Sequence, residues 1–178
     1  VEEEVVCVNG ETQNITMPSQ NTIMEGVTKI GVRYFEVVTP TVRNVVANQF
    51  DCEDATGARL DHNEYYNCIG SHWSPLFFGT ETLVARDMPW EQSITAVTLA
   101  LLEDTGWYRA NYTASTGVLS PSSHGYGAGC NFLTNDCIVD DEVPTYGSGL
   151  FCNEMTEASS IKCDVSHKRA ARCDLIDY

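Results

Sequence analysis

The sequence predicts an α+β chain that ends in a disulfide-stapled, loop-rich region. Three observations lead to this class. Residues 1–38 alternate apolar and polar positions in short runs, the pattern of half-buried strands. Two stretches, near 40–50 and 93–105, repeat apolar residues at helical spacing. Eight cysteines, at 7, 52, 68, 130, 137, 152, 163 and 173, are spread along the chain and never form Cys-x-x-Cys.

Taken in order, "VEEEVVCVNG" reads as a strand closing on an Asn-Gly turn, and "KIGVRYFEVV" carries β-branched and aromatic residues at strand spacing. Between them, "ETQNITMPSQNT" reads as a polar loop. Thr39 is then suited to cap a helix and Pro40 to occupy its first position. Val42, Val45, Val46 and Phe50 follow on one face, so a helix is expected over 40–50 with Cys52 just beyond it. "EDATGARLDHNEYYNCIGSHW" reads as loop, with turns at Gly57 and Gly70. "LFFGTETLVARDMPW" continues in irregular structure to Met88-Pro89. The second helix is expected to start at a Ser93 cap, to line Ile94, Val97, Leu101 and Leu102 along one face beside Ala100, and to stop at Gly106. From Ser115 onward Gly, Ser, Pro and Cys dominate. The expected division is therefore 1–114, with the helices, and 115–178, rich in cysteine and loop. The basic cluster "HKRAAR" reads as a solvated patch.

A length of 178 residues suits one domain, and 43% apolar with 10% aromatic residues suits a chain with a buried core. The net charge of −15 opposes nucleic acid and anionic membrane as partners. An even cysteine count without metal-ligand spacing reads as a disulfide framework, and hence an oxidising compartment. Asn14-Ile15-Thr16 and Asn111-Tyr112-Thr113 are acceptors for N-linked glycans. Together these point to a secreted or cell-surface glycoprotein. No apolar run approaches the ~20 residues of a membrane span. The opening "VEEEVV" is expected to belong to a processed or partial product whose leader lies elsewhere.

The histidines are His62, His72, His124 and His167, and none belongs to a His-Glu-x-x-His pair. Gly-x-Ser-x-Gly, Walker and dinucleotide fingerprints are absent too. On chemistry alone His72 is most simply a structural or surface histidine. A solvated loop is the simpler account of His62 beside Glu64. The cysteines are better used as disulfides than as nucleophiles.

The order of motifs adds a further reading. "VVTPTVRNVVANQFDC", "GSHW", "GTETLVA", "ITAVTLALLEDTGWYRANY", "GCNFLTNDC" and "GLFCNE" follow one another in a way that resembles the leishmanolysin family. These are secreted or surface-anchored zinc metallopeptidases of the metzincin type. The resemblance implies the C-terminal part of a metzincin-like fold, with residues 1–114 from the catalytic-type domain. It implies that His72 is the third zinc ligand, placed after a His-Glu-x-x-His helix that supplies the other two and the base. Three neutral imidazoles leave a fourth position for water, whose pKa the metal lowers toward ~7. It also implies a Cys52–Cys130 pair. The other pairings among Cys7, Cys68, Cys137, Cys152, Cys163 and Cys173 stay open, including one from Cys7 to another chain.

The sequence departs from the family pattern in three respects. It contains no His-Glu-x-x-His, and its beginning reads as sequence lying after that helix. Leu83 stands where family members carry the methionine of the turn beneath the site, and Met88 matches that spacing poorly. "LDHNEYYNC" replaces a segment rich in glycine and asparagine, adding Cys68 and aromatic bulk. Two functional readings follow. In one, the chain is part of a zinc endopeptidase whose His-Glu-x-x-His lies on an N-terminal segment or an associated chain. In the other, it is a non-catalytic extracellular glycoprotein for adhesion, structure or filament assembly with other copies. A small disulfide-rich inhibitor or ligand-binding domain explains the cysteines but not the ordered motifs.

Overall fold

The computed structural model of the chain describes residues 2–7, 10–29, 31, 33–61, 69–84, 92–114, 124–153, 162–163 and 169–172. Helices and strands are mixed, as the sequence predicts. Strands β1 (Glu2–Val6) and β2 (Thr12–Thr16) form an antiparallel hairpin with Glu2 opposite Thr16 and Val6 opposite Thr12. The expected polar loop is therefore in part a strand. Its outward residues are polar and only Ile15 turns partly inward, so the alternation is faint in the sequence. A second antiparallel sheet takes the order β3 (Ile23–Val27), β4 (Arg33–Val37), β5 (Ala58–Arg59). Val37 pairs with Ile23 on one side and Ala58 on the other.

Helix α1 spans Pro40–Phe50, the expected range, and buries Val42, Val46 and Phe50. Thr39 sits at the cap position with extended backbone, but its side chain makes no capping bond. The capping acceptor comes from the other end of the fold. Asp104 Oδ2 accepts the main-chain N–H of Thr41 at 2.9 Å and of Val42 at 3.2 Å. Two otherwise orphaned amides are thereby satisfied by a carboxylate at the positive end of the helix.

The second long helix, α3, runs Ala96–Asp104, two residues later in its start than the Ser93 cap implies. Ser93 is occupied elsewhere: its N–H donates to Thr80 O and its carbonyl accepts from Thr82 N–H, both at 3.0 Å. The buried face is Ala96, Val97, Thr98 and Ala100, whereas Ile94 and Leu102 are exposed. Small residues on that face let α1 and α3 approach closely. Gly106 ends the helix as expected, with φ of +74° and its N–H on Glu103 O.

Two shorter helices complete the core. These are α2 (Pro75–Phe78), which falls where irregular structure was expected, and α4 (Cys130–Thr134). Phe132 of α4 is the hub of an aromatic cluster. Its ring lies 5.5 Å from Phe50 and from Phe151, 5.7 Å from Phe77 and 5.9 Å from His124. Cys52, just after α1, is bonded to Cys130 at the start of α4, with the Cα atoms 4.8 Å apart across 78 residues of sequence. Closing a loop of that length contributes about 4 kcal/mol in a chain-entropy account. Cys7 and Cys152 are also disulfide-bonded. Cys137 and Cys163, expected to be bridged, are free thiols. The end region otherwise shows a 3-10 turn at Thr145–Gly147 and the two-residue strands β6 (Lys162–Cys163) and β7 (Ala170–Ala171). Cys68 and Cys173 lie outside the described residues.

Buried Glu36 stands opposite half-buried Arg59 in the register of β4 and β5. Arg59 lies 3.8 Å over the Tyr34 ring and 4.8 Å from Phe77, and donates to Leu133 O at 2.9 Å. Burial pushes the Glu36 carboxyl up, against the opposing pull of Thr56, Arg59 and Arg43.

The Asp104 carboxyl is pushed up by its burial, but hydrogen bonds from Thr41 and Val42 outweigh this and hold it below the usual carboxylate range. A depressed folded-state pKa stabilises the fold above the unfolded value of about 3.9, and the stabilisation is lost as pH falls through the folded value. Asp104→Ala should cost about 1 kcal/mol at neutral pH, as loss of a helix cap does. That corresponds to about 2–4 °C in thermal midpoint. The deficit should vanish below the folded-state pKa of Asp104, which thermal melts across acid pH would detect.

Candidate functional site

The segment Gly70-Ser71-His72-Trp73 returns antiparallel to Leu60-Asp61, directly after β5. Asp61 N–H donates to His72 O at 2.9 Å, Gly70 N–H to Asp61 O at 2.9 Å, and Ser74 N–H to Arg59 O at 3.0 Å. Leu60 and Trp73 face each other across this return, and Trp73 also pairs in parallel with Val84. Extended backbone sends successive side chains to opposite faces. Trp73 accordingly points into the core, where its indole N–H donates to Thr98 Oγ1 of α3 at 2.9 Å. His72 points out, with 47% of its side chain accessible. The indole in the core thus fixes which way the neighbouring imidazole faces.

Asp61 contacts His72 directly. Its Oδ1 accepts the main-chain N–H of His72 at 3.0 Å, and its Oδ2 lies 4.0 Å from His72 Nδ1. Ser71 Oγ is 3.4 Å from the same ring nitrogen. Gly70 is forced by this packing. A Cβ there would sit 1.9 Å from Asp61 Oδ1 and 2.0 Å from Asp61 O.

On the other side, Trp73 N–H donates to Leu83 O at 2.9 Å, so Leu83 lies beside the histidine segment along the backbone. The Leu83 residue itself is 46% exposed. The short stretch that carries it is held by Glu81, which is completely buried. Glu81 Oε1 accepts Leu83 N–H at 3.3 Å, while Oε2 accepts both the N–H (2.9 Å) and the hydroxyl of Thr95. Gln92 adds a bond to Glu81 O at 3.1 Å. Glu81 thereby caps α3 from outside it, where Thr95 makes no side-chain cap of its own.

The structure separates the other candidates. His124 is buried against Phe132, with Nε2 2.9 Å from Leu76 O, far from solvent in a structural position. His62 and His167 lie outside the described residues, as does Met88. Burial and neighbouring Asp136 push the Cys137 thiol up, which keeps it protonated and a weak nucleophile. Asn14 is exposed on β2. Asn111 is exposed too, and its Oδ1 accepts the N–H (3.2 Å) and hydroxyl (2.7 Å) of Thr113. Tyr112, between them, donates to Glu103 at 2.7 Å, and burial with that carboxylate pushes its hydroxyl up to about 12.

Among the described residues no three His, Cys, Asp or Glu side chains come together as a metal site. Among the described residues, His72 presents an accessible imidazole on a braced backbone, with oxygens of Asp61 and Ser71 beside its Nδ1. Sequence reasoning singled out His72 and Leu83 and gave Asp61 and Glu81 no role. Asp61 carried no local signal, being eleven residues upstream. Glu81 stood inside a quoted motif, "GTETLVA", without an assigned role.

The chain falls among the peptidases: a peptidase family model matches residues 11–178. That family is leishmanolysin, and the chain belongs to it. It is 30% identical over 146 residues to a leishmanolysin-like peptidase of Drosophila pseudoobscura pseudoobscura, covering 80% of this chain and 21% of that protein. It is 26% identical over 140 residues to a leishmanolysin homolog of Crithidia fasciculata, covering 79% and 20%. It is 37% identical over 79 residues to leishmanolysin of Leishmania major, covering 44% and 12%. The chain thus spans about a fifth of the length of the first two of these curated relatives. No helix among the described residues is long and apolar enough to cross a membrane.

Glu81→Ala should strip three donors of their acceptor and lower the unfolding free energy by about 3 kcal/mol or more. Glu81→Gln retains one acceptor oxygen and should cost less. Urea unfolding of both variants measures this; equal midpoints for Glu81→Ala and the parent chain would remove Glu81 from its bracing role.

Proposed function

We propose that this chain is part of a leishmanolysin-like zinc endopeptidase with a metzincin-like fold, and that His72 is its third zinc ligand. The other two histidines and the base glutamate reside on a His-Glu-x-x-His segment that this sequence does not contain. The observation that carries the reading is the His72 return. Its backbone is bonded on both sides, Trp73 anchors it to α3, and its imidazole faces outward. Family membership supports it. When bound, zinc supplies a Lewis acid and an acidified water for peptide hydrolysis. The residues of this chain contribute ligation by His72 and the rigid mounting of that ligand. Exposed Asn14 and Asn111 are the glycan acceptors, and the location is extracellular, secreted or at the cell surface.

A second reading, a non-catalytic extracellular glycoprotein for adhesion or assembly, rests on the donor set. Among the described residues one imidazole stands without two companions.

Peptide mass spectrometry of the native material separates the two by searching for His-Glu-x-x-His in stoichiometric amount. With that peptide found, His72→Ala in the complete protein should abolish zinc retention and proteolysis while leaving secretion largely intact. Unchanged zinc stoichiometry in that variant would falsify the ligand assignment, and absence of the peptide at good coverage selects the non-catalytic reading.

A further inference from the structure

We infer that Asp61 is a positioning residue that sets the tautomer of His72, leaving Nε2 as the nitrogen free to ligate. The inference deepens the zinc-ligand reading above and rests on it for its functional meaning. A neutral imidazole has one N–H and one lone pair, and the hydrogen bond made by one nitrogen decides which is which. Histidines that bind metal commonly give their second N–H to a carboxylate. Here, among the described residues, a carboxylate stands beside Nδ1. Asp61 Oδ1 takes the main-chain N–H of His72 at 3.0 Å, which holds the group in place, and Oδ2 lies 4.0 Å from Nδ1, a charge contact rather than a hydrogen bond.

The backbone makes this placement hard to escape. Asp61 N–H binds His72 O, and Gly70 N–H binds Asp61 O, each at 2.9 Å. The absent Cβ at Gly70 opens the space that the carboxylate fills. The glycine two residues before the histidine thus serves the aspartate. A negative group beside Nδ1 favours the proton there and directs the lone pair of Nε2 outward. Ser71 Oγ, at 3.4 Å, is the other oxygen at that nitrogen and is the control.

Long-range 1H–15N correlation spectra of the 178-residue chain at about pH 9, where imidazoles are neutral, read the tautomer directly. The expected result is a predominantly Nδ1–H tautomer for His72, opposite to the Nε2–H preference of free histidine. Asp61→Asn keeps an acceptor for the His72 N–H but removes the charge, and should return the ring toward Nε2–H. Ser71→Ala should leave it unchanged. A wild-type ring already in the Nε2–H form overturns the inference, whether or not any variant folds. So does a tautomer that responds to Ser71→Ala and not to Asp61→Asn. In the complete protein, Asp61→Asn should also weaken zinc affinity about 10–100-fold. A complete protein that holds no zinc at His72 would remove the zinc-ligand reading while leaving the tautomer result standing.

Discussion

A buried carboxyl group with both oxygens bonded to neighbours organises the centre of this structure. Glu81 joins the first turn of α3 to the Leu83 stretch, and Leu83 in turn bonds the backbone beside His72. Burying such a group without partners is costly, so the three donors that meet it leave little freedom to the segments carrying them. Trp73 closes the circuit by reaching from the histidine segment to Thr98, one turn into the same helix. The exposed imidazole is therefore mounted on a frame whose bolts are all internal. Accessibility and rigidity come from adjacent residues of one extended segment.

The same device recurs at the opposite helix. The start of α1 is capped by Asp104, the last residue of α3, and not by its neighbour Thr39. Both long helices thus receive their N-terminal acceptor from distant sequence. Helix formation and tertiary packing become one event, because an end left uncapped is an end not docked. In a chain with short helices and two- to five-residue strands, such cross-links do much of what long regular elements do elsewhere.

These long-range bonds mark the boundary of what the sequence discloses. The range of α1 was legible because its signals are local: a proline at the first position, apolar residues at helical spacing, and a polar residue beyond Phe50. The start of α3 was not, since Ser93 is as good a cap as Thr95 until Thr80 and Thr82 claim its backbone. The face of α3 was misjudged for a related reason. Its buried positions go to small residues that fit against α1, while Ile94 and Leu102 face solvent. β2 escaped notice because a surface hairpin can be polar on nearly every position and still pair in full register. The Cys52–Cys130 bridge came from family likeness, since eight cysteines alone allow 105 connectivities. His72 was singled out by the same route. Asp61, which sits against it, belongs to no motif and becomes visible only when the chain doubles back.

The bond between Cys52 and Cys130 has one more consequence. It joins the end of α1 to the start of α4 across the interval that includes β5, the His72 return, the Glu81 frame and all of α3. A protease that cut once between Glu53 and Gly129 would therefore release nothing. The two pieces would stay covalently joined and move as one species until a reductant separated them. A molecule nicked in a surface loop can be mistaken for an intact one in any assay run without thiol, and its wear hidden in the same way.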